Sequence, residues 1–132
     1  MVAPMRQELT RLGVEEMRTA DAVDAKLRDS KGTTLVVVNS VCGCAARNAR
    51  PAIAKALQHE KKPDLSTTVF AGQDIDAASR ARSYFTGYPP SSPQIGLLKD
   101  GKLVYMLERH QIEGRSADAI AGDLAAAFDR FC

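Results

Sequence analysis

The sequence predicts an α/β fold in which a parallel half-sheet is joined to an antiparallel hairpin and helices cover both faces. Three observations lead there. The runs "TTLVVVNSV" (Thr33 to Val41) and "LSTTVFA" (Leu65 to Ala71) are β-branched, and each is followed by a segment of helical composition, as in a parallel sheet buried on both sides. "QIGLLKDGKLVYML" splits into two apolar stretches about Lys-Asp-Gly-Lys, and Asp-Gly between such stretches is a strong hairpin signal. Near the end, Ile120, Leu124, Ala127, Phe128 and Phe131 are spaced to form one helix face.

Taken in order, "GVEEM", with Val14 and Met17, reads as a short edge strand. Ala22, Val23, Ala25 and Leu27 then fall at helical period between Ala20 and Lys31, with Thr19 placed as the cap and Gly32 where the helix would stop. The strand from Thr33 to Val41 is expected at the centre of the sheet. "CAARNARPAIAKALQH", from Cys44 to about His59, is rich in helix formers, and Pro51 should kink it by removing a backbone hydrogen bond. After the "KKPD" break comes the strand from Leu65 to Ala71, then a helix, "DIDAASRARSYF", started by Asp74. Right-handed crossovers would make the first two long strands parallel. The hairpin follows, then a closing helix from Ser116 to about Phe131. The whole order is that of a thioredoxin-like three-layer sandwich.

The 132 residues fit one domain, 1–132, large enough to bury a core without covalent staples. Hydrophobic residues at 45% and charged residues at 26% indicate a folded chain, not a disordered one. The net charge of +2 comes from scattered basic residues, which argues against nucleic acid as a partner. No stretch approaches the ~18 apolar residues of a membrane span, and "MVAPMRQELTRLG" lacks the apolar core of a signal peptide, so no membrane association and a cytoplasmic location are expected. Met5, Met17 and Met106 read as core filler.

The chemistry is concentrated in "NSVCGCAARNARP", residues 39 to 51. In open α/β sheets, sites form where a strand ends and the next helix begins, and Cys42 and Cys44 fall at that junction. Unpaired backbone N–H groups at a helix start favour a thiolate, which makes the sulfur nucleophilic near neutral pH. Cys42, the earlier of the two, is the expected attacking thiol. Arg47 and Arg50 would add positive charge if the helix turns them toward it; as solvated surface they would not. A disulfide between residues two apart needs a bend at the intervening residue, and Gly43 supplies one. The small ring should be strained, so a Cys42–Cys44 disulfide is expected to be labile and comparatively oxidising.

Other readings of the cysteines stand beside this one. They can pack the junction as small apolar residues, or join Cys132, His59 and His110 in a metal or metal-cluster module, although a lone Cys-x-Cys lacks the second short-spaced pair of a zinc site. A thioredoxin-like adaptor that binds a partner without exchange is a third reading.

"VVVNSVCGCAARNARP" (36 to 51), "TVFAGQD" (68 to 74), "YFTGYPPSSPQIGLLKDGK" (84 to 102), "ERHQIEG" (108 to 114) and "AAAFDRFC" at the end resemble the bacilliredoxin family, over nearly the whole chain. The resemblance implies a thioredoxin-like fold and a thiol–disulfide oxidoreductase that removes bacillithiol, or a related low-molecular-weight thiol, from mixed disulfides on client proteins, with disulfide isomerase activity as a weaker accompaniment. It needs no cofactor; bacillithiol is substrate and adduct. In this reading Cys42 takes up the mixed disulfide and Cys44 resolves it. Pro93 matches the proline that thioredoxin-like proteins hold in cis beside the active site, leaving the backbone of Ser92 to pair with an extended substrate. Cys132 matches a terminal cysteine with no assigned work, and His110 a residue making a local structural hydrogen bond.

Overall fold

A computed structural model describes residues 3–28, 31–41, 48–90 and 92–132. Its elements run α1 (Ala3–Thr10), β1 (Glu15–Glu16), α2 (Ala20–Leu27), β2 (Thr33–Asn39), α3 (Arg50–Ala56), β3 (Leu65–Phe70), α4 (Ile75–Arg82), β4 (Gln94–Lys99), β5 (Lys102–Leu107), α5 (Arg109–Ile112) and α6 (Ala117–Phe131). The strands form one mixed sheet in the order β1-β3-β2-β4-β5. β2 pairs parallel with β3 and antiparallel with β4, and β1 lies parallel on the outer edge of β3.

Every residue of β2 is buried, because its side chains alternate into two cores. Leu35 and Val37 face α1, α3 and α6, packing with Leu9, Ile53, Leu124 and Phe128. Val36 and Val38 face α2 and α4, packing with Val23, Leu27, Ala78 and Phe85. An unbroken apolar run is therefore what the central strand of a two-faced sheet requires. Met17 and Met106 are buried in the second core, whereas Met5 is only partly buried.

The hairpin turn follows from its two central residues. Asp100 (φ 52°) and Gly101 (φ 80°) both take left-handed conformations, the combination that matches strand twist in a two-residue turn. Thr19 caps α2 by accepting from the Ala22 N–H at 3.0 Å, and Ser116 caps α6 by accepting from Ala119 at 3.1 Å. Asp74 stands at the start of α4 as expected, but its carboxylate makes no capping bond; it accepts from Arg6 instead, at 2.7 Å.

Pro51 occupies the first turn of α3, and the preceding Asn48 and Ala49 form a wider, π-type turn. A proline ring in a helix is accommodated by such local widening. Two helices have no counterpart in the sequence expectation. α1 buries only Arg6 and Leu9, so its inward face is half ionic and shows no apolar stripe. α5 is a single turn closed by a reciprocal pair: the Glu108 side chain accepts from the Gln111 backbone, and the Gln111 side chain accepts from the Glu108 N–H. Among the described residues, no helix is long and apolar enough to cross a membrane.

Candidate active site

The carboxyl ends of β2 and β3, the amino end of β4 and the carboxyl end of β5 share one edge of the sheet, as the parallel and antiparallel pairings require. Cys42, Gly43 and Cys44 lie outside the described residues, as does Arg47. What surrounds their point of attachment is described closely. β2 ends at Asn39, and Ser40 and Val41 carry the chain to Cys42.

Asn39 is bonded on every side. Its carbonyl accepts from the Ala71 N–H at 2.9 Å. Its Oδ1 accepts from the Ser40 N–H at 2.9 Å and from Arg50 Nη1 at 2.9 Å, and its Nδ2 donates to the Met5 carbonyl at 3.3 Å. The same Nη1 donates to the Ser40 carbonyl at 3.0 Å, while Arg50 Nε donates to Glu8 Oε2 at 2.8 Å. Arg50 is therefore not solvated surface. It is 3% exposed, and α3 turns it inward onto the strand end that leads to Cys42. A buried guanidinium needs such partners, since desolvating an unpaired charge is costly.

Across the sheet, Val38 is the last residue of β2 paired with β4, opposite Gln94. Pro93 directly precedes Gln94 in the chain. The Ser92–Pro93 peptide bond is cis. Gln94 is fully buried and ties down the loop before it: its Nε2 donates to the Pro89 carbonyl at 3.1 Å, and its Oε1 accepts from Arg82 Nε at 3.4 Å. Burial pushes the Arg82 guanidinium below its ordinary pKa.

A second ionic cluster braces the neighbouring strand end. Arg6 Nη1 donates to Glu16 Oε1 at 2.9 Å and to Asp74 Oδ2 at 2.7 Å, and the guanidinium lies 5.0 Å from the Phe70 ring centroid. The hydrogen bond to Asp74 raises the Arg6 pKa against the opposing effect of burial. α1 is thus fastened to β1 and to the β3–α4 junction by charge, beside the apolar contact of Leu9 with the first core.

Three candidates remain, of which His110 follows the carboxyl end of β5 and lines a surface cavity with Pro89. His59 pairs with Asp129 at 2.9 Å, and His110, well exposed, stands 3.9 Å from Glu108. Cys132 is a free, exposed thiol. Among the described residues, no group of three or more His, Cys, Asp and Glu side chains is placed to hold a metal ion. Sequence reasoning missed Asn39 and Gln94. The signal available for both was a polar residue beside an apolar strand run, in "VVVNS" and "SPQIGLL".

The family model described as "Disulphide isomerase" matches residues 1–132. The chain is 61% identical over 132 residues to a bacilliredoxin of Koribacter versatilis, covering 100% of this chain and 91% of that one. It is 54% identical over 132 residues to a bacilliredoxin of Geobacillus kaustophilus, covering 100% and 90%. Among solved structures, a protein with a thioredoxin fold superposes with a TM-score of 0.65 at 20% identity, covering 86% of this chain and 92% of its own. Fasciola hepatica thioredoxin superposes with a TM-score of 0.57 at 19% identity, covering 90% and 100%.

Proposed function

This chain belongs to the bacilliredoxin family and has a thioredoxin fold, and from that premise we propose that it removes bacillithiol, or a related low-molecular-weight thiol, from mixed disulfides on client proteins. The coarser role, a redox protein of thiol–disulfide oxidoreductase type, comes with the family and the fold. The finer one rests on the cysteine pair and on what lies beside its attachment.

The Cys42 thiolate attacks the thiol-derived sulfur of the client's mixed disulfide. The client leaves as its thiolate, and the low-molecular-weight thiol is now joined to Cys42. Cys44, on losing its proton, attacks the Cys42 sulfur, expels the small thiol as its thiolate and closes the Cys42–Cys44 disulfide. Two equivalents of a reduced thiol, supplied from outside, return the pair to the dithiol: the first opens the disulfide as a mixed disulfide, and the second displaces the cysteine and leaves joined to the first as their own disulfide. No resident cofactor is needed, because both electrons stay on sulfur throughout.

The observation that carries this reading is positional: β2, whose last residue paired with β4 is Val38 opposite Gln94, ends at Asn39, three residues before Cys42 in the chain, and Pro93 directly precedes Gln94. Val41, Ile75 and Tyr88 are exposed large apolar residues on segments at this edge of the sheet, and they suit an unfolded or extended polypeptide partner.

The test is the release of bacillithiol from a bacillithiolated model protein, run beside the glutathionylated form. Wild-type protein should release bacillithiol faster than glutathione, Cys42→Ser should release neither, and Cys44→Ser should accumulate an adduct at Cys42 that is visible in the intact mass. A wild-type protein that leaves the bacillithiol adduct in place overturns the reading.

A further inference from the structure

We propose that the cavity between α4 and Pro90 is a binding site for a small carboxylate group with a hydroxyl beside it, Arg82 taking the carboxylate and Ser83 the hydroxyl. The site lies outside the cysteine motif. That a low-molecular-weight thiol bears this group rests on the proposed function.

The cavity measures about 360 Å³, at the small end of the range for ligand sites. Ile75, Ala78, Ser79 and Arg82 of α4 and the following Ser83 line it, together with Pro90. The helical positions recur at three and four residues, so they share one face. Arg82 is partly buried, its Nε donates to Gln94 Oε1 at 3.4 Å, and Gln94 Nε2 donates to the Pro89 carbonyl at 3.1 Å. One buried glutamine thus holds both the guanidinium and the segment that carries Pro90, so the cavity is set before a ligand arrives.

The lining decides the chemistry of the ligand. A guanidinium is a fork of N–H donors that suits a carboxylate, and burial disfavours the Arg82 charge, a cost that an adjacent anion offsets. None of the described residues lining the cavity is acidic. Asp74 is bound to Arg6, and Asp76 lines the neighbouring cavity with Arg80, which pairs with Asp24 at 3.1 Å. Ser83 Oγ donates to the Arg80 carbonyl at 2.5 Å, so its single proton is committed and its oxygen accepts. A ligand group facing Ser83 must therefore donate, as a hydroxyl does. Ile75, Ala78 and Pro90 offer apolar contact to a short carbon frame. Bacillithiol carries this combination, a malate joined to a sugar ring that bears hydroxyls.

The experiment titrates the full-length reduced protein with L-malate, and with succinate, which keeps the charges and lacks the hydroxyl, and follows the backbone amide NMR signals; no thiol exchange is involved. L-malate should bind with a Kd of about 1 mM and shift the amides of Ser79, Arg82 and Ser83, and succinate should bind about fivefold more weakly. Arg82→Met should raise the malate Kd about tenfold. Ser79→Glu, at an exposed position, should do the same by repelling the carboxylate, and it carries the test should Arg82→Met not fold. Arg80→Gln should leave the Kd unchanged. Absence of saturable shifts, equal binding of succinate, unchanged binding in Arg82→Met and Ser79→Glu, or an Arg80→Gln loss as large as that of Arg82→Met each overturns the proposal. S-methylated bacillithiol, which cannot exchange, should compete with malate and bind at least as tightly; a blocked aspartyl-serine peptide that binds more tightly would assign the group to the client and overturn the thiol as its source. Malate binding without bacillithiol release defeats only the proposed function, and release without malate binding defeats only the site.

Discussion

At the scale of single residues, one contact shows how closely this fold is packed. Gly96 on β4 lies against the Phe85 ring, where an added Cβ would stand 2.6 Å from Cε1 and 3.0 Å from Cζ. Phe85 is itself 2% exposed, within the core between the sheet and α2 and α4, so the ring has little room to retreat. Gly96→Ala should therefore cost about 1–3 kcal/mol, read from the urea midpoint. Combined with Phe85→Leu it should cost less than the sum of the two single changes; additive costs would show that the ring is not the obstacle. The sequence offers a glycine inside a strand and nothing more, because the ring above it comes from 11 residues upstream. Arg50 shows the same limit. Its type and position were visible, and a reading as surface was as reasonable as a reading as site residue until α3 was seen packed against β2.

At the scale of elements, local signals were reliable where the partner is local. Ser116 before an apolar periodic run marks the start of α6, and the cap is made as such a run implies, with Ser116 accepting from Ala119. Ser116→Ala should cost about 1 kcal/mol while Ser116→Asp stays near wild type, as thermal unfolding at neutral pH will check; a Ser116→Ala variant as stable as wild type would show that the cap contributes nothing. Asp74 marks the other outcome. Its place at the start of α4 was legible, but the bond it makes was not, because Arg6 reaches it from 68 residues away and takes the carboxylate. α1 went unread for a related reason. An amphipathic helix announces itself through an apolar stripe, and α1 buries an arginine where that stripe would run.

At the scale of the whole molecule, the Arg6, Glu16 and Asp74 cluster joins the first helix, the edge strand and the β3–α4 junction, so a loss of charge at Glu16 is felt beyond its own strand. Burial alone would raise Glu16, but hydrogen bonds and attraction from Arg18 and Arg6 outweigh it and hold the carboxyl below its ordinary pKa. A depressed folded value contributes stability that is present above the ordinary carboxylate range and lost as the pH falls through that range to the folded value. Urea midpoints followed from neutral pH to about pH 3 should fall more steeply for wild type than for Glu16→Gln; parallel curves would remove Glu16 from the acid response. Apart from α1 and α5, the order of elements, the central place of β2, the parallel pair and the antiparallel hairpin follow from the sequence by itself. Each rests on a short-range pattern: an apolar period, a cap, or an Asp-Gly turn with both residues left-handed. Only the tertiary structure decided what stands around the carboxyl end of β2. The inward turn of Arg50 onto Ser40 and Asn39, the buried Gln94 accepting from Arg82 and the ionic fastening of α1 join residues on separate elements. Polar groups carry no periodic signature of burial, and their partners are chosen only when separate elements pack together.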